Sequence, residues 1–275
     1  MHTPRVTVLT AAWTRAQYIG KGIQSVIDQT FQDWELIIVD DGSPDNTAQV
    51  VKEWQKKDAR IKYIRLEHVG RIAVVSNAGL KEAKGEYVAI LDDDDHWIDP
   101  KKMEKQVAFL DAHKDYVGCG SFFVIVDKDD NEGSRVTKPQ TDDAIRKVAL
   151  YANPIANSTS IFRRSVAAQF GYYDESLRQF ADWDFWLKMG KYGKLCNMPE
   201  YFLAYRMWDK GSSFMNQRQN VDAAFVIIRR HKDEYPGYFF AYLSTTVYWL
   251  YARLPVYVRK RLNAFLSRLK KALFS

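Results

Sequence analysis

Through residue 127 the chain alternates short apolar runs with stretches of helical periodicity. RVTVLTAAW reads as a strand, and in the following AQYIGKGIQSVIDQTF the residues Ile19, Ile23, Val26 and Ile27 recur on one helical face. WELIIVDDG is a second strand, continuous in Leu, Ile and Val as expected of a strand covered on both faces. Ser43 and Pro44 predict the start of the next helix, with Val50, Val51 and Trp54 as its buried stripe. IKYIRL reads as a third strand, IAVVSNAGLKEAKG as a helix closed by Gly85, and EYVAILDD as a fourth strand. Asp99 and Pro100 start another helix carrying Met103, Val107 and Leu110, and YVGCGSFFVIVDKDDNEG is a fifth strand ending in a turn. Strand and helix alternating at this spacing predict an α/β domain with a mainly parallel sheet and helices on both faces.

After about residue 140 the pattern loosens. STSIFRR reads as a strand, DWDFWLKMGKYG as an aromatic helix and EYFLAYRMW as a last strand, and from Asn216 onward the chain is expected to be helical. The expected organisation is a main domain over residues 1–215, divided near 127/128, and a helical extension over 216–275.

In such sheets ligands bind at the carboxyl ends of the strands, where loops and helix N-termini converge. Two acidic clusters fall there: Asp40-Asp41 after the second strand, and Asp92 to Asp95 after the fourth. Along an extended chain alternate side chains share a face, so Asp92 and Asp94 point one way and Asp93 and Asp95 the other. Two carboxylates side by side repel unless a cation lies between them. Hard divalent ions, Mg²⁺ or Mn²⁺, prefer such oxygens and keep positions open for phosphates. A solvated loop capping the next helix is the alternative, but Asp99 already serves as the cap. A calcium loop of the EF-hand type does not fit, because no Gly and distal Glu follow at the required spacing. His96 lacks a nearby His or Cys partner and is a poor ligand, and Asp95 to Trp97 are expected to lead into the next helix.

The segments VTVLTAAWTRAQYIGKGIQSVIDQTFQDWELIIVDDGSPDNT, NAGLKEAKGEYVAILDDDDHW and ADWDFW together resemble glycosyltransferase family 2, which has the Rossmann-like GT-A fold. The likeness runs in order from about Arg5 to about Ser213. It implies a nucleotide-sugar donor (most commonly a UDP-sugar), Mn²⁺ or Mg²⁺, and inversion at the anomeric carbon. The nucleotide would lie against residues 1–127, and the acceptor and base against 128–215. By position, the resemblance puts Ala11 and Trp13 at the nucleotide base, where Trp13 either stacks on the base or packs as a buried aromatic. Asp41 matches the acceptor of a hydrogen bond from base or ribose, with Asp40 beside it. Asp92, Asp93 and Asp94 overlie the family's DXD motif; Asp94 is expected to ligate the metal, with Asp92 or Asp93 holding ribose or metal.

Asp182 matches the general base. Asp184 is then a cap, an orienting group or an acceptor contact, and Trp183 and Trp186 frame sugar rings or join the core. Arg206 and Lys210 are available for the diphosphate. Three positions depart from the pattern. Ser76 stands where Arg is frequent, leaving Arg71, one helical turn earlier, as the candidate donor contact. Ala181 stands where Glu commonly precedes the base, and Trp208 where His is frequent.

The net charge of +6 changes the picture only once it is located. Arg259, Lys260, Arg261, Arg268, Lys270 and Lys271 lie in a stretch without an acid, and the rest of the chain is formally neutral. That argues against nucleic acid, which a basic face of the whole domain would serve. Residues 235–252 carry no charge and eight aromatics, and Leu262, Phe265, Leu266, Leu269 and Leu273 share one helical face among the positives. The combination suggests helices lying on an anionic membrane, so the expected location is cytoplasmic, peripheral on the inner face, with a lipid-linked or cell-surface glycan as acceptor. Packing on the main domain or a partner subunit is the alternative. Cys119 and Cys196 show no metal or redox spacing and read as packing thiols in a reduced compartment, and the N-terminus reads as a strand, not a signal peptide. Two other classes compete. Nucleotidyl transfer would need a Gly-rich first loop, which TAAWTRAQYIG lacks, and a non-catalytic membrane-bound scaffold is hard to square with intact Asp41, Asp94 and Asp182.

Overall fold

The computed structural model describes residues 3–207, 217–254 and 258. Its first half alternates as the pattern predicts: β1 (Val6–Ala12), α1 (Ala16–Ile27), β2 (Trp34–Asp40), α2 (Thr47–Lys57), β3 (Ile61–Arg65), α3 (Ile72–Glu82) and β4 (Tyr87–Ile90). There follow β5 (His96–Trp97), α4 (Lys102–Ala112), β6 (Tyr116–Val126), β7 (Glu132–Val136), α5 (Asp142–Val148), a 3-10 turn (Asn157–Thr159) and β8 (Ile161–Arg163). The chain continues through α6 (Arg164–Gln169), α7 (Ala181–Tyr192), β9 (Lys194–Arg206), α8 (Gln217–Arg230) and α9 (Tyr238–Arg253).

The sheet runs β3-β2-β1-β4-β8-β6-β9-β5, with β7 on β6. Strands β3, β2, β1 and β4 are mutually parallel, so the loops after β1, β2 and β4 leave from one edge. Strand β8 reverses direction between β4 and β6, and β9 then runs parallel to β6. Alternation across the strands builds two cores. Leu9, Ile37, Val39, Val88 and Ile90 pack towards α3 and α7, while Val6, Val8, Leu36, Ile38 and Ala89 pack towards α1, α2 and α4. This two-sided burial is why β1, β2 and β4 carry continuous apolar runs.

Three expectations are corrected. Helix α2 begins at Thr47, where the Asp45 carboxylate takes the Thr47 N–H (3.1 Å) and hydroxyl (2.6 Å); Ser43 instead accepts from the Thr14 N–H. Gly85 does not close α3, which ends at an extended Ala83. A Cβ at Gly85 would lie 2.4 Å from the Thr7 nitrogen, so its glycine serves a close chain approach. His96 and Trp97 form β5 against Ala204 and Leu203 and do not lead directly into α4. Helix α8 packs on the main domain: its Ala224, Ile227 and Ile228 belong to the same core as α7. Both cysteines are free, buried and opposite each other in the β6–β9 register. No helix among the described residues is long and apolar enough to cross a membrane.

Candidate active site

The loop after β1 forms one wall of a cleft at the strand ends. Trp13 is 37% exposed and stacks on His68 at 3.8 Å between ring centroids and 17° between planes. It is thus an open aromatic surface, not a core residue, while Ala11 is half-buried just before it. The next residue, Thr14, holds a left-handed φ of 56°, an uncommon conformation for a non-glycine residue. Opposite lies Asp41, whose two oxygens accept the N–H groups of Val69 (2.8 Å) and Gly70 (2.9 Å), with His68 Nδ1 3.0 Å away. Asp41 therefore shapes the 68–70 loop. A carboxylate has about four acceptor positions, so it retains capacity for a ligand donor as well.

Asp40 leaves the nucleotide-binding set. Its carboxylate is fully buried and takes donors from the Ser43 N–H (2.8 Å), Tyr63 Oη (2.5 Å) and Arg65 Nη1 (2.9 Å). The strand pleat turns its side chain away from that of Asp41, towards β3.

The four aspartates after β4 divide by partner. Ser158 Oγ accepts the Asp92 N–H at 3.1 Å, and Asn157 Nδ2 reaches Asp92 Oδ1 at 3.4 Å. Burial and the neighbouring Asp94 charge push the Asp92 carboxyl up to about 6. Asp93 takes the Trp13 N–H at 2.6 Å, tying the aspartate loop to the aromatic wall; burial, then Asp94, raise it well above the ordinary range. Asp94 is the more open carboxylate, and Arg15 Nε lies 3.3 Å from its Oδ2. Asp95 is buried and accepts the Arg206 N–H at 2.8 Å, so it braces the loop from behind. His96 is buried too, and burial followed by the Lys21 charge lowers it to about 4.

Hard oxygens on Asp92 and Asp94, with Asp92 pushed up by its neighbour's charge, fit a divalent ion. Among the described residues, no group of three or more His, Cys, Asp or Glu side chains is placed to hold a metal ion.

Across the cleft, Asp182 stands in the first turn of α7, entered through Phe180 at a left-handed φ of 59°. Its Oδ2 accepts from Asn153 Nδ2 at 2.7 Å. Burial raises its carboxyl, opposed by the Trp183 N–H, Asn153 and the Lys138 charge. Asn153 of one short segment holds Asp182, and Asn157 and Ser158 of the same segment hold Asp92, which brings the two carboxylates to one region.

The residues around the base need correction. Trp183 is buried and donates its indole N–H to the Ala149 carbonyl (2.7 Å), and Trp186 is fully buried, so both are core. Asp184 faces the protein interior, where it meets His231 Nε2 (2.9 Å), Arg230 Nη1 (2.8 Å) and Lys188 Nζ (2.8 Å), and is not an acceptor contact. Arg206 is buried and spends its guanidinium on the Asp94 and Asp127 carbonyls and on Asp130, so it braces the aspartate loop and does not reach for a diphosphate. Arg71 is exposed at the start of α3 and donates to the Glu175 carbonyl at 3.1 Å, on the cleft's rim. Lys210 and Trp208, like the basic stretch 259–275, lie outside the described residues.

Sequence reading missed Arg15, His68, Asn153 and Lys138. Each sits in a loop or at a helix edge with no periodic or motif signal. Only the fold brings His68 onto Trp13, Arg15 onto Asp94 and Asn153 onto Asp182.

Comparison with known proteins identifies the family. Residues 7–171 match the profile of glycosyl transferase family 2. An uncharacterised glycosyltransferase of Haemophilus influenzae is 32% identical over 230 residues, covering 80% of this chain and 71% of that protein. Among solved structures, residues 1–349 of S. aureus TarS in complex with UDP-GlcNAc give a TM-score of 0.64 at 20% identity, over 82% of this chain and 66% of that one. The mannosyltransferase PcManGT of Pyrobaculum calidifontis, in complex with GDP-Man and Mn²⁺, gives 0.70 at 18% identity, over 100% of this chain and 82% of that one. At such identities the two structures speak for the fold alone. With the profile and the Haemophilus relative agreeing over most of its length, the chain belongs to glycosyltransferase family 2 and is a transferase enzyme.

Proposed function

We propose that the protein transfers a sugar from a nucleoside diphosphate sugar to an acceptor hydroxyl with inversion, using Asp182 as general base. The observation that carries this reading is the segment 153–158, whose Asn153 contacts Asp182 while its Asn157 and Ser158 contact Asp92, so that one short stretch joins the base to the Asp92–Asp94 loop. The Trp13–His68 stack and Asp41 bind the nucleotide end of the donor. Asp182 takes the acceptor proton as the acceptor oxygen attacks C1, and the bond from C1 to the diphosphate breaks on the opposite face. Mn²⁺ or Mg²⁺, held by Asp94 with Asp92, supplies positive charge against the departing diphosphate. Arg15, beside Asp94, adds a fixed positive charge at the same edge. A UDP-sugar is the first donor to test, a choice supported by the UDP-GlcNAc complex of TarS; the GDP-Man complex of PcManGT puts guanine nucleotides in the same panel.

The acceptor is read as a lipid-linked or surface glycan because of α9. Phe239, Phe240, Leu243, Val247 and Leu250 are all exposed and fall within about 100° of one another around the helix axis, while Ala241 and Ala252 are buried on the far side. An outward apolar stripe running towards the six positives of 259–275 suits a helix lying on an anionic bilayer. At 16 residues, about 24 Å, α9 is shorter than a bilayer core.

The test is a thermal-shift panel of nucleoside diphosphates and their sugars with Mn²⁺, followed by transfer assays. Asp94→Ala should lose metal-dependent nucleotide stabilisation, and Asp182→Asn should keep it while losing transfer. Full transfer by Asp182→Asn, or metal-independent binding by the wild type, would sink the corresponding assignment.

A further inference from the structure

Resting on the reading of Asp182 as base, we propose that Asn153 is a positioning residue that holds the Asp182 carboxylate in its working orientation, with Lys138 fixing Asn153 in turn. Three contacts carry this. Asn153 Nδ2 donates to Asp182 Oδ2 at 2.7 Å. The Ile155 N–H donates to Asn153 Oδ1 at 3.3 Å, which settles which end of the amide faces the carboxylate: the oxygen is engaged behind, so the NH₂ points at Asp182. Lys138 Nζ donates to the Asn153 carbonyl at 3.0 Å and holds that loop from the other side.

The loop is also tied to α7 one residue beyond the base, through the Trp183 indole and the Ala149 carbonyl. Residues 149–155 therefore form a rigid clamp over the first turn of α7. A carboxylate with one oxygen pinned by a donor cannot rotate, and its remaining lone pairs keep a fixed direction for the incoming hydroxyl. An amide donor also favours the ionised carboxylate, the form a general base needs. The titratable groups that act on Asp182, or feel its charge, are Lys138, Asp92, Tyr173 and Tyr205. Deleting the Asn153 donor leaves that set intact.

The experiment compares Asn153→Ala, Lys138→Met and Asp182→Asn with the wild type in kcat, donor KM, pH profile and Mn²⁺-dependent UDP binding. Asn153→Ala should lower kcat about tenfold to hundredfold, the effect of losing one hydrogen bond to a charged group, with donor KM nearly unchanged. Its acidic limb should move up by about one pH unit, because the ionised form loses a donor. Lys138→Met should shift the limb in the same direction by less. An unchanged kcat and acidic limb in Asn153→Ala, with Asp182→Asn inactive, overturns the positioning role alone. Full activity in Asp182→Asn overturns the base assignment and the clamp with it. Loss of UDP binding in Asn153→Ala would mark a folding role and overturn the inference.

Discussion

Asp184 lies two residues beyond the base, and Asp184→Asn separates a structural carboxylate from a catalytic one. In the wild type it is fully buried and meets Arg230 and His231, at the end of α8, and Lys188 on its own helix. Burial works against the charge, but the His231 and Lys188 hydrogen bonds and the Lys188 charge overcome it and hold the carboxyl well below the usual range. The variant keeps the shape and removes the charge, leaving His231 wholly buried without its anionic partner. Breaking a buried ion pair from one side costs about 3–5 kcal/mol. Lys188 and Arg230 are partly exposed and can turn towards water, which sets the expectation at the lower end, about 3 kcal/mol. For a chain of this size that is a fall in Tm of roughly 6–12 °C. The readout is thermal unfolding by circular dichroism at pH 7 and at acid pH. Because the folded value is depressed, the stabilisation is fully present above about 3.9, the ordinary Asp value, and is lost as pH falls below it towards the folded value. The gap between wild type and variant should therefore close only at strongly acid pH. A Tm within 2 °C of wild type at pH 7, coupled with a raised acceptor KM, would refute this reasoning and return Asp184 to the acceptor site, where about 2 °C marks less than 1 kcal/mol.

Three further outcomes follow from the same geometry. Gly85→Ala should destabilise strongly, because the new Cβ falls 2.4 Å from the Thr7 nitrogen and 2.7 Å from the Tyr87 carbonyl oxygen; a urea midpoint equal to wild type would contradict that packing. Arg206→Met should weaken Mn²⁺-dependent nucleotide binding without touching the base, since Arg206 holds the Asp94 carbonyl at 2.9 Å; unaltered metal dependence in isothermal titration would show that the loop keeps its shape unaided. Phe240→Asp with Leu243→Asp should abolish co-sedimentation with anionic vesicles while leaving Tm unchanged, because both positions are exposed; retained sedimentation would place membrane contact elsewhere.

Much of the fold is legible in the amino-acid pattern. Continuous apolar runs at 6–12, 34–40 and 87–90 can be satisfied only by strands covered on both faces, and the two cores on either side of the sheet meet that requirement. Carboxylates after such strands have to emerge at the sheet edge, and Asp41 and Asp92 to Asp95 do. Neighbouring residues of like type are not separable by pattern. Asp40 and Asp41 differ only in pleat, yet one is buried against Tyr63 and Arg65 and the other shapes the 68–70 loop. Lys102 is fully buried, its Nζ 4.0 Å above the Trp97 ring, and burial lowers it to about 7.

The sequence by itself determined the elements, the parallel half of the sheet, the edge where chemistry would gather and the family. Those follow from periodicity and motif order, which are local. The tertiary structure alone decided which charges are spent on the fold and which face the cleft. Arg206, Asp184 and Asp40 passed to the fold; Arg15, His68 and Asn153 came to the site from loops that carry no signal. The reason is physical: a polar side chain's role is set by the partners within hydrogen-bond reach, and here such partners lie far away in the chain, 25 residues for Asp40 and Arg65 and 112 for Arg206 and Asp94.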